Sequence, residues 1–299
     1  MAEPLRIGFI GLDTSHVTAF ASILNDPSHP HHVPGGRVVA GYSEVSRDFE
    51  LSWSRADRFA AELREKYGVT ICDSIEALAQ SVDIIFIESV DGRVHLDQFR
   101  RTVRFGRPTF IDKPLAVSLA DAREIFRLAD QAGVPVMSSS SLRYAEQLQS
   151  ELAAGTADIV GCDAFGPMGE QPTQPGLFWY GIHTMEMIVA AMGAGCVEVR
   201  AVRNDGCDMV TLVWRDGRMA CLRGLRGAHS RFGMIIHRRQ GWRVVDGDAG
   251  RPAYAGLLDA IMRSLPAGRS DVPAEQTLEI IRIIEAANHS RLSGQPVRP

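Results

Sequence analysis

A lysine and a histidine, far apart in the sequence, are the residues best suited to acid–base chemistry. Lys113 stands directly before Pro114 at the end of a predicted parallel strand, the edge where ligands of open α/β sheets bind. A residue before proline is held in extended backbone, so the Lys113 ammonium has a restricted direction and could hydrogen-bond a cofactor and a substrate hydroxyl. A surface lysine in a proline turn is an equal alternative from these residues alone. His183 opens a predicted helix and could act as a general acid or base, although a lone histidine there is more often a structural donor.

The stretch Arg6–His16 has the pattern of a buried strand, a glycine turn and the first residues of a helix. In the dinucleotide fingerprint G-x-G-x-x-G, glycines let the backbone approach a pyrophosphate at the helix N-terminus. Gly11 fills the first place, but Asp13 fills the second and His16 the third. Asp13 is expected to cap the helix, so a capped helix without nucleotide competes with a weakened dinucleotide loop. The residues of this stretch predicted to contact a cofactor are Gly8, Gly11, Asp13, Thr14, Ser15 and His16.

The end of the second predicted strand bears on which cofactor would bind. An acidic residue there holds the ribose hydroxyls of NAD, whereas a hydroxyl with a nearby cation suits the 2′-phosphate of NADP. Glu44 fits NAD, and Ser43 with Arg47 fits NADP. All three are predicted cofactor contacts, the choice between NAD and NADP stays open, and an ordinary polar turn explains these residues as well.

Strands and helices alternate through the first part of the chain. The predicted strands are Leu5–Ile10, Val38–Tyr42, Val69–Cys72, Asp83–Glu88, Pro108–Ile111 and Pro135–Ser138. The predicted helices are Thr14–Leu24, Ser54–Tyr67, Ile75–Gln80, Leu96–Phe105 and Leu119–Ala132. Short apolar strands separated by helices indicate a parallel sheet covered on both faces. Residues 1–138 are therefore predicted to form a Rossmann-type doubly wound dinucleotide-binding domain.

The pattern changes from residue 139 onward. Helices are predicted at Ala145–Leu152, His183–Met192 and Ala274–Arg291, and strands at Val197–Arg203, Met209–Arg215, Met219–Leu225, Phe232–Arg238 and Trp242–Val245. Asp216-Gly217 between two of these strands is a hairpin signal. Consecutive strands joined by tight turns indicate a mostly antiparallel open sheet. The predicted fold class is α/β, with residues 139–299 forming an α+β domain for substrate binding and oligomerisation.

Composition and charge exclude several classes of protein. The 299 residues carry a formal net charge of −4, so no overall field attracts nucleic acid or an anionic membrane. The N-terminus lacks signal-peptide features, and no run of about 18 apolar residues is present, which predicts a cytoplasmic protein. The five cysteines show no C-x-x-C spacing, and the histidines of the proline-rich loop Asn25–Gly36 lack carboxylate support. No metal site is expected.

The motifs and their order resemble the Gfo/Idh/MocA family of NAD(P)-dependent oxidoreductases over nearly the whole chain. The segments that carry the resemblance are Ile7–Gly11, Ser89–His95, Asp112–Ala116, Arg143-Tyr144, Gly181–Glu186 and the closing helix and tail Ala274–Val297. The family's lysine sits in Glu-Lys-Pro, and Asp112-Lys113-Pro114 is similar to it. The resemblance implies that NAD or NADP is contacted by Ser89, His95, Asp112 and Lys113.

The family's second-domain motif, roughly D-x-G-x-H-x-x-D, is similar to Tyr180–Glu186, in which Tyr180 replaces the first aspartate. The resemblance implies that His183 accepts the hydroxyl proton, that Lys113 stabilises charge on that oxygen, and that Tyr180 orients the substrate or relays the proton. These three are the predicted catalytic residues. The predicted substrate-binding residues are Arg143, Tyr144, Trp179, Tyr180 and His183. A basic run, predicted to lie on a solvated face or a subunit interface, consists of Arg223, Arg226, His229 and Arg231.

The resemblance predicts hydride transfer between a nicotinamide cofactor and a secondary alcohol or ketone of a sugar, cyclitol or related polyol. One alternative is an enzyme that keeps NAD bound for a redox-neutral elimination, hydrolysis or epimerisation. Another is a sugar-binding or regulatory protein without cofactor. The partners expected are a small-molecule substrate and further copies of the chain, because one face of the second sheet has no obvious cover and should be buried in a homodimer or homotetramer.

Overall fold

The computed structural model describes residues 3–227 and 231–299, so His229 of the basic run lies outside the described residues. The chain divides into two compact units. The first comprises the residues up to Ala116 together with Ala120–Ser139 and Leu257–Ala274, and the second comprises Val117–Leu119, Ser140–Gly256 and Glu275–Pro299. The predicted domains, 1–138 and 139–299, are continuous stretches, whereas both observed units are assembled from separate stretches.

The first unit is built on a six-stranded parallel sheet. Its strands are β1 (Leu5–Ile10), β2 (Gly36–Tyr42), β3 (Thr70–Ile71), β4 (Ile84–Ile87), β5 (Thr109–Ile111) and β6 (Val136–Met137). They lie in the order β3-β2-β1-β4-β5-β6, and every neighbouring pair is parallel. The helices along this part of the chain are α1 (His16–Asn25), α2 (Glu50–Trp53), α3 (Ala56–Tyr67), α4 (Ile75–Ser81), α5 (His95–Thr102) and α6 (Leu119–Ala132).

The central strands of this sheet are buried on both faces, as their sequences predict. All four residues of β4, Ile84–Ile87, are buried, with no polar residue alternating between them. Gly8 in β1 has no side chain, and the side chains of Leu78 and Val82 fill the space beside it. A Cβ on Gly8 would lie 2.7 Å from Leu78 Cδ2. Close packing of α4 against the strand therefore explains Gly8, and its predicted cofactor contact stays a prediction.

The second unit is built on a mixed, mostly antiparallel sheet. Its strands are β7 (Ile159–Pro167), β8 (Cys196–Arg203), β9 (Cys207–Trp214), β10 (Met219–Leu225), β11 (Gly233–Arg238) and β12 (Gly241–Asp246). They lie in the order β12-β11-β7-β10-β9-β8, and only β7 and β10 pair in parallel. The remaining helices are α7 (Glu146–Ala153), α8 (Gly181–Met192), α9 (Ala253–Ser264) and α10 (Ala274–Ser293).

One face of this second sheet is covered and the other is open. Helix α8 packs against β7, and alternate residues of β9, namely Val210, Leu212 and Trp214, are buried. The large apolar side chains that the sheet leaves exposed are Val160, Val202, Met219, Trp242 and Val244.

The structure confirms the predicted fold class and adds three named elements that were not predicted. The short helix α2 precedes α3, strand β7 lies between β11 and β10 in the second sheet, and helix α9 precedes the last helix. The Asp216-Gly217 hairpin is confirmed, with Gly217 at φ +86° between β9 and β10. None of the helices in the described part of the chain combines the length and the hydropathy of a membrane-spanning segment.

Candidate functional site

The turn after β1 requires glycine for two independent reasons. Gly11 has φ +81°, in the left-handed region that favours glycine. A Cβ at Gly11 would also lie 2.5 Å from both the backbone nitrogen and the Cα of Ser89. The loops after β1 and β4 therefore approach each other backbone to backbone, at the carboxyl edge of the sheet where the fingerprint places a dinucleotide.

Asp13 does not cap α1, and that prediction was wrong. The N-cap residue of α1 is Ser15, and no side chain caps the helix there. The Asp13 carboxylate is buried and accepts hydrogen bonds from Val90 N at 2.9 Å and Ser52 Oγ at 2.5 Å. Burial raises the pKa of Asp13, although both hydrogen bonds favour the ionised form. Asp13 thus links the turn to helix α2 and to the loop after β4, and it leaves the amides of the α1 N-terminus without a competing carboxylate cap.

A cavity of about 480 Å³ lies beside this turn, at the ends of β2 and β4. Its lining includes three of the predicted cofactor contacts, Asp13, Glu44 and Ser89, but neither Ser43 nor Arg47. Its volume and its position on the carboxyl edge fit part of a dinucleotide. The remaining lining residues are Val45, Ser46, Asp48, Asp91, Arg93, Val94, Asp97 and Gln98.

The charged residues around this cavity are mostly acidic, and the cations beside them are paired. Arg93 contacts Asp91 at 2.7 Å and Asp48 at 2.9 Å, and these carboxylates raise its pKa. Glu44 accepts hydrogen bonds from Arg101 at 2.9 Å and from Gln98 at 3.1 Å. Asp91 and Glu44 are thereby fixed in place, and the guanidinium of Arg93 is already neutralised by two carboxylates.

A second cluster of polar side chains lies at the same edge of the sheet, after β4 and β5. His16 opens α1, and its Nδ1 lies 2.7 Å from Asp112 Oδ2 and 3.9 Å from Glu88 Oε2. Burial raises the pKa of Glu88 well above its usual range, and the charge of Asp112 adds to this effect. Burial alone would also raise the pKa of Asp112, but the charge and hydrogen bond of His16, together with Lys113, lower it to about 2. The structure therefore pairs His16 with Asp112.

Lys113 adjoins this cluster at the end of β5. Its backbone nitrogen donates to Asp112 Oδ1 at 2.8 Å, and its peptide bond with Pro114 is cis. Burial lowers the pKa of the Lys113 ammonium, while the charges of Asp112 and Glu88 act in the opposite direction. A partly desolvated ammonium held by its backbone is suited to stabilise developing negative charge on an oxygen.

His95 links two loops at the carboxyl edge of the sheet. The side chain is fully buried, and its ring nitrogens lie 2.8 Å from the Ser89 carbonyl and 2.9 Å from the Pro114 carbonyl. The ring thereby connects the loop after β4 to the loop after β5, next to Lys113. Its predicted cofactor contact stays a prediction.

In the second unit, His183 lies in the first turn of α8 and is held by a serine. Its Nδ1 lies 2.7 Å from Ser140 Oγ, which also accepts a hydrogen bond from Leu142 N at 3.1 Å. Tyr180 and Phe232 pack edge-on against the His183 ring, with centroid distances of 5.7 and 5.5 Å. The imidazole is thereby oriented while remaining partly accessible, as a proton-transferring group requires. The sequence analysis did not identify Ser140, which lies in a run of four serines.

Arg143 is anchored by a carboxylate of its own unit. Its Nε contacts Glu186 Oε1 at 2.5 Å and its Nη1 donates to Gln276 at 2.9 Å. Nη2 is buried and has no hydrogen-bond partner among the described residues. Of the other predicted substrate contacts, Tyr144 is buried, whereas Tyr180 is exposed and Trp179 is half-buried.

The predicted residues thus fall into groups within each unit. The first unit brings together Asp13, Glu44 and Ser89 around one cavity, and His16 with Asp112 beside Lys113. Arg47 is exposed and Ser43 is half-buried, and neither lines that cavity. Glu88 was not predicted as a site residue, although a carboxylate at the end of a predicted apolar strand was a signal that could have identified it.

An open parallel sheet, a glycine turn at its carboxyl edge and a cavity beside that turn define a Rossmann-type nucleotide-binding protein. Residues 5–140 match the GFO_IDH_MocA family model, an oxidoreductase family with an NAD-binding Rossmann fold. The match covers less than half of the chain, and over this region it confirms the predicted resemblance and the predicted cofactor class.

Curated relatives match only part of the chain. The 1,5-anhydro-D-fructose reductase of Ensifer adhaerens is 32% identical over 112 residues, covering 37% of this chain and 32% of the relative. An uncharacterized oxidoreductase of Escherichia coli (strain K12), YhhX, is 26% identical over 127 residues, covering 37% and 36%. The matched region spans about half or less of the length of such relatives.

Solved structures show the same fold over the full length. The myo-inositol 2-dehydrogenase of Lactobacillus plantarum superposes with a TM-score of 0.82 at 16% identity, covering 99% of each chain. At this identity the similarity establishes the fold.

Proposed function

We propose that this protein is a nicotinamide-dependent oxidoreductase that interconverts a secondary alcohol and the ketone of a sugar, cyclitol or related polyol. The observation that carries the proposal is the environment of Lys113. Its partly desolvated ammonium belongs to a residue directly after Asp112, which is buried and paired with His16, at the edge of a sheet that matches an NAD-binding family. The inositol dehydrogenase and anhydrofructose reductase named above support a polyol-like substrate.

Two protein side chains carry the proposed chemistry. The nicotinamide, when bound, donates or accepts the hydride. Lys113 stabilises charge on the reacting oxygen, and His183, oriented by Ser140, takes the hydroxyl proton in the oxidative direction. Tyr180, exposed and packed against the His183 ring, orients the substrate.

The cavity at the end of β2 favours NAD over NADP. Glu44, Asp48 and Asp91 bring negative charge, and both neighbouring guanidinium groups, Arg93 and Arg101, are engaged by carboxylates. A 2′-phosphate would meet this charge without a partner among the lining residues, whereas ribose hydroxyls could donate to the carboxylates.

Cofactor titration tests the proposal directly. NADH should bind to the purified protein, as measured by its fluorescence, with a Kd at least about tenfold below that of NADPH, equivalent to about 1.4 kcal/mol. The protein is then incubated with the cofactor and each of a panel of polyols, and the absorbance of reduced nicotinamide is followed. Accumulation of reduced nicotinamide indicates net oxidation, whereas conversion of the polyol without it indicates a redox-neutral reaction. Binding of neither dinucleotide would refute a redox function in both forms and favour a cofactor-less sugar-binding protein.

Substitutions test the two assigned residues. Lys113→Met and His183→Asn should each lower kcat by about 10²- to 10⁴-fold, as expected for loss of charge stabilisation or of a general base. His237→Asn, which removes an exposed histidine paired with Asp163 in the second unit, is the matched control and should leave kcat unchanged. Near-wild-type turnover in either test variant would remove that residue from the mechanism.

The exposed apolar residues of the second sheet support the proposed homo-oligomer. Met219, Trp242 and Val244 are each more than half exposed, and burying such side chains against another copy is favourable. Light scattering should show a dimer or tetramer, and Met219→Glu should shift the equilibrium towards monomer. A monomeric wild-type protein would count against the assignment.

A further inference from the structure

The cluster formed by His16, Glu88 and Asp112 has the composition of a metal site. Each residue offers one ligand atom, and the three atoms all lie within 4.8 Å of one another. The three residues come from different parts of the chain, the start of α1 and the ends of β4 and β5. An imidazole with two carboxylates is a donor set that suits divalent first-row transition ions.

The independent observation that points to a ligand is the state of Glu88. Its side chain is fully buried, and neither carboxylate oxygen has a hydrogen-bond partner among the described residues. Buried carboxylates are normally paired, hydrogen-bonded or bound to a metal, because desolvating them is costly. Glu88 Oε2 is directed towards the His16–Asp112 pair, with His16 Nδ1 3.9 Å away.

The spacing of the ligand atoms is close to what an ion needs. With metal–ligand bonds of about 2.1 Å, neighbouring ligands lie about 3.0–3.4 Å apart in octahedral or tetrahedral geometry. The two measured separations, 2.7 Å to Asp112 and 3.9 Å to Glu88, fall on either side of that range. A shift of about half an ångström in each carboxylate would equalise them, a small change for side chains.

The geometry points to a divalent transition-metal site of the Zn²⁺ or Mn²⁺ class, with His16, Glu88 and Asp112 as its protein ligands. The imidazole ligand disfavours Mg²⁺ and Ca²⁺, which prefer oxygen ligands alone. The competing cation for the same carboxylates is the ammonium of Lys113, whose charge acts on both of them. Removing the Lys113 ammonium therefore tests whether the two carboxylates bind a metal ion or only form an internal ion pair with the lysine.

The test uses the purified full chain without nicotinamide or substrate, so its outcome is separate from that of the proposed dehydrogenase activity. After treatment with a chelator, wild-type protein is titrated with Zn²⁺ by calorimetry and with Co²⁺ by visible absorption. We expect one Zn²⁺ per chain, Co²⁺ absorption bands of a nitrogen–oxygen site, and no heat from Mg²⁺ at the same concentrations. Absence of Zn²⁺ and Co²⁺ binding to the wild type would overturn the proposal.

Three variants locate the ion. Glu88→Gln and His16→Asn should each weaken Zn²⁺ binding by at least about tenfold, and two variants are used so that misfolding of one leaves the other informative. Lys113→Met removes the competing cation and should bind Zn²⁺ at least as tightly as the wild type. Unchanged affinity in both ligand variants, or loss of binding in Lys113→Met, would overturn the three-ligand assignment.

The matched control is the exposed pair His237–Asp163, whose Nε2–Oδ2 separation is 2.8 Å but which has no buried third carboxylate beside it in the described chain. Asp163→Asn should leave stoichiometry and affinity unchanged. Loss of the Zn²⁺ signal in this variant would place the ion at the surface pair and refute the buried site.

Discussion

Replacing Gly11 with alanine should destabilise the first unit because the turn after β1 has no room for a side chain. The new Cβ would lie 2.1 Å from Ser89 Oγ and 2.5 Å from two Ser89 backbone atoms. Three hydrogen bonds hold Ser89 in place. The Ser89 hydroxyl accepts from Gln98 at 2.8 Å, and the Ser89 carbonyl lies 2.8 Å from the His95 ring. The backbone nitrogen of the preceding residue, Glu88, donates to Ile10 O at 2.7 Å.

Two terms contribute to the expected cost. Alanine in the left-handed conformation of Gly11, at φ +81°, costs about 1–2 kcal/mol. Forcing a methyl group into a packed region costs about 1–3 kcal/mol more. The sum, about 2–5 kcal/mol in the free energy of unfolding, is a large fraction of the stability of an ordinary domain.

The matched control is Gly68→Ala at the end of α3. Gly68 has a similar φ of +68°, but a Cβ there would meet nothing within 4 Å, so only the backbone term applies. Urea denaturation followed by circular dichroism measures both variants, and NADH titration measures the cofactor site. Gly11→Ala should lose about 1–3 kcal/mol more than Gly68→Ala and bind NADH more weakly. Equal losses for the two variants would show that the close approach of the loops after β1 and β4 is wrong.

Two further predictions concern buried carboxylates. Because burial raises the pKa of Asp13, the stability linked to its protonated form is lost as pH rises through the raised pKa, so Asp13→Asn should gain stability relative to wild type as pH rises above about 4. Urea denaturation at several pH values measures this difference, and a difference independent of pH would contradict it. Glu186→Gln leaves the Arg143 guanidinium without its carboxylate and should cost about 3–5 kcal/mol in thermal or urea denaturation. The same change at the partly exposed Glu124, which pairs with Arg127 at 2.6 Å, should cost clearly less, and equal costs would show that the buried pair has no special role.

The sequence was sufficient where local chemistry decides structure. Unbroken apolar strands alternating with helices predict a doubly wound parallel sheet, and the six predicted strands of the first unit all occur. Strand β7 was missed because two glycines, Asp163 and a terminal Pro167 lower its apparent strand propensity. Its place between β11 and β10 comes from pairing with residues more than 50 positions away, which no local pattern encodes.

In the candidate site, too, some features follow from local sequence and others from contacts between distant residues. Gly11 and Lys113 could be placed at the ends of strands from local sequence, since turn glycines and X-Pro pairs act on their own backbone. Tertiary contacts were needed to show that Asp13 binds Ser52 and Val90 instead of capping its helix, and that His16 contacts Asp112 beside Glu88. The strand order, with β1 beside β4 and β4 beside β5, brings these distant residues to one edge, where burial fixes their partners.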